Sequence, residues 1–113
     1  MEVKPIKISD PKTGETYILE FNRDAVRFAE ANKFKLEELT TFPETNIRAL
    51  WFYAFRKNHP NIARAKTDAM LDEIGGLSTD ELARLVELYQ TPINALILGD
   101  EEDRKNAKWS VSL

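Results

Sequence analysis

The sequence predicts a mainly α-helical α+β domain: an N-terminal β-hairpin, a bundle of about four helices, and a short C-terminal tail or strand. Three observations carry this expectation. Apolar and polar residues alternate after a turn-rich segment near the N-terminus. From Asn22 onward, apolar residues recur at helical spacing between start and stop signals. Beyond Gly99 that periodicity gives way to an acidic run and an alternating end. One domain is expected over residues 1–99, with the hairpin in 3–21 and the helical part in 22–99. An acidic linker and tail then occupy 100–113.

In the hairpin, Ile6 and Ile8 sit two apart, and the segment Asp10 to Glu15 is rich in turn formers. Tyr17, Leu19 and Phe21 then alternate with Thr16, Ile18 and Glu20, the pattern of a strand with one buried face. Pro5 suits a strand start or an edge, since it has no N–H to give to a ladder.

Asn22 is a good N-cap for a helix carrying Ala25, Val26, Phe28 and Ala29, and Leu36 and Leu39 suggest one more turn. Thr40 to Pro43 break the pattern. The strongest helix follows, with Ile47, Leu50, Trp51, Ala54 and Phe55 on one face and Pro60 as its stop. A helix between Asn61 and Ile74 is expected to turn Met70, Leu71 and Ile74 inward, with Gly75 and Gly76 as a left-handed stop. Ser78 and Glu81 have the spacing of a capping box, and Leu77 and Leu82 that of a hydrophobic staple. Leu82, Leu85, Val86 and Tyr89 form the next stripe. Thr91 and Pro92 then read as the start of a last helix carrying Ile93, Leu96 and Ile97.

Composition narrows the function classes. The chain has 113 residues, 42% hydrophobic and 31% charged, an ordinary globular balance. It has no cysteine, so disulfides, thiolate metal sites and cysteine nucleophiles are excluded. No apolar signal core or membrane-spanning stretch is seen, and a cytoplasmic protein is expected. The net charge of −3 predicts no general attraction to nucleic acid. Arg48, Arg56, Lys57, Arg64 and Lys66 give the middle of the chain a basic bias, which Asp68, Asp72 and Glu73 are expected to balance.

Catalytic raw material is thin. His59 is the one histidine, placed at a helix end before a proline. The pairs Glu37–Glu38 and Asp72–Glu73 are adjacent carboxylates of the kind that point into water. No His/Asp/Glu set has metal-ligand spacing, and the four glycines make no phosphate-cradling loop. No enzyme activity, metal or cofactor is expected. The helix–Gly-Gly–helix around Gly75 resembles a helix-turn-helix in outline, but Asp80 and Glu81 at the start of the second helix would meet phosphates badly. The alternating Trp109, Val111 and Leu113 could add a third strand to the hairpin, or a strand to another subunit or a client.

Several runs together resemble a family. They are Tyr17 to Arg23 with Val26, Phe28, Ala29 and Glu30; Leu50 with Ala54 to Pro60; Thr67-Asp68; Ile74 to Ser78; and Glu87-Leu88-Tyr89 with Pro92. In this order they are similar to small tail assembly chaperones of long-tailed phages and prophages of Firmicutes. The resemblance implies a protein without cofactor or chemistry. It would bind the tape-measure protein, or another helical tail protein, and keep it soluble during tail assembly. It also implies residence in the host cytoplasm rather than in the mature virion.

A helical client with exposed apolar faces would need apolar grooves between helices. The expected lining is Trp51, Phe52, Tyr53, Tyr89, Ile93 and Ile97, with Trp109 as a further contact. Core packing is the competing reading of the aromatic run Trp51 to Phe55. Display in a homo-oligomer would raise weak contacts to useful avidity. The alternatives are a structural virion or connector component and a small DNA-binding regulator.

Overall fold

The computed structural model describes residues 4–95. Ile97, Trp109, the acidic run and the alternating tail lie outside the described residues. Strands β1 (Ile6–Ser9) and β2 (Thr16–Leu19) pair antiparallel, with Ile6 opposite Leu19 and Ile8 opposite Tyr17. The turn between them is built on Asp10. Its carboxylate accepts from the Lys12 N–H at 2.8 Å, and its carbonyl accepts from the Gly14 N–H at 2.8 Å. Gly14 has φ +76°, a conformation that costs glycine little. Tyr17 and Leu19 are buried; Ile6 and Ile8 are half-buried. Phe21 is buried too, but just beyond the strand.

Four α-helices follow: α1 (Arg23–Ala31), α2 (Pro43–Phe55), α3 (Arg64–Glu73) and α4 (Thr79–Asn94). Asn22 caps α1 by accepting the Ala25 N–H at 2.8 Å. A short 3₁₀ turn, Leu36–Glu38, stands where one more helical turn was expected. Pro43 occupies the first turn of α2, where its missing N–H costs nothing. Gly75 (φ +80°) and Gly76 (φ +92°) end α3. The capping box is complete, with Ser78 Oγ accepting from the Glu81 N–H and the Glu81 carboxylate accepting from the Ser78 N–H.

Two sequence expectations need correction. Thr91 and Pro92 do not start a new helix; both lie inside α4. The Thr91 hydroxyl donates to the Glu87 carbonyl at 2.8 Å rather than capping forward, and Pro92 is buried beside Val26 of α1. Packing against α1 therefore holds the helix through its proline. Ile74 does not face inward but is 46% exposed, because α3 ends at Glu73 and the chain turns away.

Helix α2 is the centre of the molecule. It packs against α1, α3, α4 and β2. The periodicity assigned it one buried face, but Ala49, Leu50, Trp51, Tyr53, Ala54 and Phe55 are all buried. A helix surrounded by neighbours buries most of its circumference. The Trp51 indole N–H donates to the Thr67 carbonyl at 2.8 Å, which ties α2 to α3 with both residues almost fully buried. Trp51 and Phe55 meet edge to face at 5.3 Å, and Tyr17 adds an edge-to-face contact on Phe55 at 5.6 Å.

The hairpin is anchored by the corner after α2. The outer side of β2 is covered by Asn58 and His59. The Ile18 N–H donates to His59 Nε2 at 3.1 Å, and Asn58 Nδ2 donates to the Ile18 carbonyl at 3.1 Å. Further along, the Glu20 N–H donates to the Ala54 carbonyl at 3.0 Å. The histidine at the helix end is thus engaged with the hairpin rather than free at the surface. Its acceptor nitrogen takes an N–H that a neighbouring strand would otherwise pair, and its ring stands edge-on to Tyr17 at 5.0 Å.

Trp51→Ala is expected to destabilise the fold by about 3–5 kcal/mol, measured by denaturant unfolding, because it opens a large cavity and orphans the Thr67 carbonyl. His59→Ala is expected to cost about 1–2 kcal/mol and to speed hydrogen exchange at the Ile18 amide while α4 amides stay protected.

Candidate functional site

A cleft of about 550 Å³ lies between the start of α2 and the α3–α4 turn. Pro43, Ile47, Leu71, Leu77 and Leu82 supply its apolar lining, and Gly75 and Gly76 leave its wall bare of side chains. Leu71 is buried at the floor, while Ile47, Leu77 and Leu82 are half-buried. Next in sequence to the lining stand Phe42, 57% exposed, and Ile74, 46% exposed. Large apolar side chains left open beside an apolar hollow are the usual mark of a contact surface.

Each lining residue is placed by a local rule. The proline start of α2 sets Pro43 and Ile47 one turn apart. The left-handed glycines fold the chain back so that Leu77 and Leu82, the staple pair, face the end of α3. Arg48 closes one side. Its guanidinium bonds Glu44 at 2.6 Å on its own helix and Asp72 at 2.6 Å on α3. These hydrogen bonds, donated to Asp72 and Glu44, hold its charge more firmly than usual. The arginine is therefore a strut between α2 and α3 rather than a free cation.

A second cleft, of about 490 Å³, lies at the other end of α4, lined by Phe34, Leu36, Tyr89 and Ile93 with Glu30, Lys33, Lys35 and Glu37 around it. Lys33 adopts φ +67°, a left-handed position that turns the chain after α1 and sends Phe34 into the core. Burial pushes the Tyr89 phenol up to about 12, and the nearby Glu30 and Glu37 carboxylates add to that.

The structure disperses the residues expected to form one groove. Trp51, Tyr53 and Tyr89 are core residues, only 1%, 6% and 3% exposed. Trp51, Phe52 and Tyr53 line neither cleft, because the surrounded position of α2 turns them into the bundle. Phe52 is half-buried in a shallow hollow with Phe28 and Ile62, and the Arg64 guanidinium lies 5.4 Å from its ring. Tyr89 and Ile93 do share a cleft, with Tyr89 as its floor. The apolar cleft at Ile47, Leu77 and Leu82 was not singled out from sequence. Those residues have ordinary core spacing, and only their incomplete burial distinguishes them.

The basic bias of the middle of the chain is neutralised in place. Arg56 pairs with Asp24, Lys57 with Glu20, Arg64 with Asp68, and Arg48 with Glu44 and Asp72. Glu73 pairs with Lys12 of the hairpin turn instead. Among the described residues, no group of His, Asp and Glu is placed to hold a metal ion, and no helix is long and apolar enough to cross a membrane.

Fold and cleft together define a small α+β domain with a partly apolar cleft between α2 and the α3–α4 turn. The chain belongs to the family defined by a domain of unknown function, DUF5055, which matches residues 2–113. No curated protein and no solved structure matches it.

The Tyr89 environment predicts an alkaline signature. The phenol is raised in the folded chain, so the folded state favours its neutral form. Stability contributed this way is present below the ordinary phenol range, near 10, and is lost as pH rises from there through about 12. Tyr89→Phe is expected to flatten this part of the stability–pH curve, read by denaturant midpoints across that range.

Proposed function

We propose that the chain is a tail assembly chaperone that binds the tape-measure protein, or another helical phage tail protein, and keeps it soluble until the tail assembles. The observation that supports this reading most is the apolar cleft between α2 and the α3–α4 turn, with Phe42 and Ile74 open beside it. Its size and lining suit the apolar stripe of an amphipathic helix laid into a groove. The family resemblance of the Tyr17–Arg23, Ala54–Pro60 and Ile74–Ser78 runs supplies the identity of the client. Residence in the host cytoplasm and display in a homo-oligomer belong to the same proposal.

The arrangement of charge favours a protein client over DNA. The helix after Gly76 begins with Asp80 and Glu81, and the Glu81 carboxylate is committed to the capping box. The arginines and lysines of the middle segment are engaged with carboxylates rather than gathered into one patch.

Co-expression with the tape-measure protein of the same phage or prophage tests this. The client is expected to stay soluble, to co-purify, and to remain bound at high salt, as burial of apolar surface requires. Phe42→Asp and Ile74→Asp change exposed side chains, so both variants should fold. Each is expected to weaken client binding about tenfold or more. A client that precipitates as it does alone sinks the chaperone reading. Variants that bind like the parent chain sink the cleft.

A further inference from the structure

The bond that closes the outer edge of β2 depends on a lone pair that one proton removes. The Ile18 N–H donates to His59 Nε2 at 3.1 Å, so the ring carries its proton on Nδ1. An imidazolium has an N–H at both nitrogens and no acceptor in any orientation. Flipping the ring therefore cannot restore the bond. The backbone of His59 is fixed on both sides: its N–H donates to the Phe55 carbonyl at 2.7 Å, and its carbonyl accepts from the Ile62 N–H at 3.2 Å. A proton on Nε2 would face the Ile18 N–H head-on, and the ring or the strand must give way.

The charged groups around this corner already have partners. Lys57 pairs with Glu20 at 2.9 Å, and Lys66 of α3 lies 4.0 Å from Glu15. The Tyr17 phenol, whose ring stands edge-on to His59, donates to Glu15 at 2.8 Å. Arg56, which lines a shallow hollow with His59, pairs with Asp24 of α1 at 3.3 Å. A charged His59 thus joins three cations whose carboxylates are in use. The other ties of the hairpin to this corner do not titrate. Asn58 still donates to the Ile18 carbonyl, and the Glu20 N–H still donates to the Ala54 carbonyl.

We infer that His59 makes the seating of the hairpin sensitive to pH. Proton uptake by the imidazole breaks its bond to the Ile18 N–H and loosens the outer edge of β2, while Asn58 and the Glu20 amide keep the hairpin tethered and the helices stay packed. Histidine is the side chain whose charge changes between about pH 5 and 8, so the loosening comes as pH falls through that range. The inference is independent of the chaperone reading, since it concerns only how this chain holds its own hairpin.

Residue-resolved hydrogen exchange on the full chain tests it, with rates expressed as protection relative to an unstructured amide at the same pH. Between about pH 8 and about pH 5, the protection of the Ile18 amide is expected to fall about tenfold or more while α2 amides keep theirs. His59→Gln replaces the imidazole with an amide that does not titrate in this range. Ile18 protection in that variant is expected to be the same at both pH values. Ile18 protection that does not change with pH in the parent chain overturns the inference. An equal fall in the His59→Gln variant overturns it too, because another group then takes the proton. So does a matching loss of protection in α2, because the whole fold then responds rather than the hairpin.

Discussion

Helix α2 is apolar around most of its circumference, and the cost of leaving that surface in water decides where the other elements go. A helix of this kind needs neighbours on several sides. Here α1, α3, α4 and β2 supply them. The aromatic side chains of α2 interlock with rings from other segments: Tyr17 on Phe55, and Phe28 and Phe34 on Tyr53. In a chain of 113 residues, one helix thereby supplies much of a necessarily small core. A buried polar tie across it, from the Trp51 indole to the Thr67 carbonyl, fixes the position of α3 relative to α2.

The same constraint settles the hairpin. Two strands of four residues are marginal by themselves. They persist because Tyr17 and Leu19 enter the α2 core and because the corner after α2 covers the outer side of β2. Lys57 and Asn58 also hold Glu20. Burial pushes that carboxyl up, but hydrogen bonds from Lys57 and Asn58 and the Lys57 charge outweigh it, leaving the group below its usual range. Pairs such as this are exposed enough that their individual worth is small. Their effect is directional: they say which edge of the sheet is closed.

What remains open is informative because so much is closed. The core absorbs Trp51, Tyr53 and Tyr89, and the basic residues of the middle segment are engaged with carboxylates. Among the described residues, the cleft at Ile47, Leu77 and Leu82 and the outer edge of β1 keep unused apolar or hydrogen-bonding capacity. The first suits a helix and the second an extended strand.

The sequence by itself determined several features whose cause is local. Asn22 before α1, Ser78 with Glu81, the paired glycines before Leu77 and the turn at Asp10 to Glu15 were all legible, because capping and left-handed turns depend on residues a few positions apart. The fold class followed from the change of period after Phe21. Tertiary structure decided the rest. The period of α2 showed that one face must be buried but not that neighbours would cover the others, so of the two readings of the aromatic run, core or contact surface, packing decided for core at Trp51 and Tyr53. Pro92 read as a helix start because no local signal reports the packing of α1 that carries α4 through it. His59 read as a helix-end residue because its partner, the Ile18 N–H, lies 41 positions away. The cleft was hidden for a related reason. Ile47, Leu77 and Leu82 have the spacing of core residues, and whether such a residue ends fully or half buried depends on what the rest of the chain brings against it.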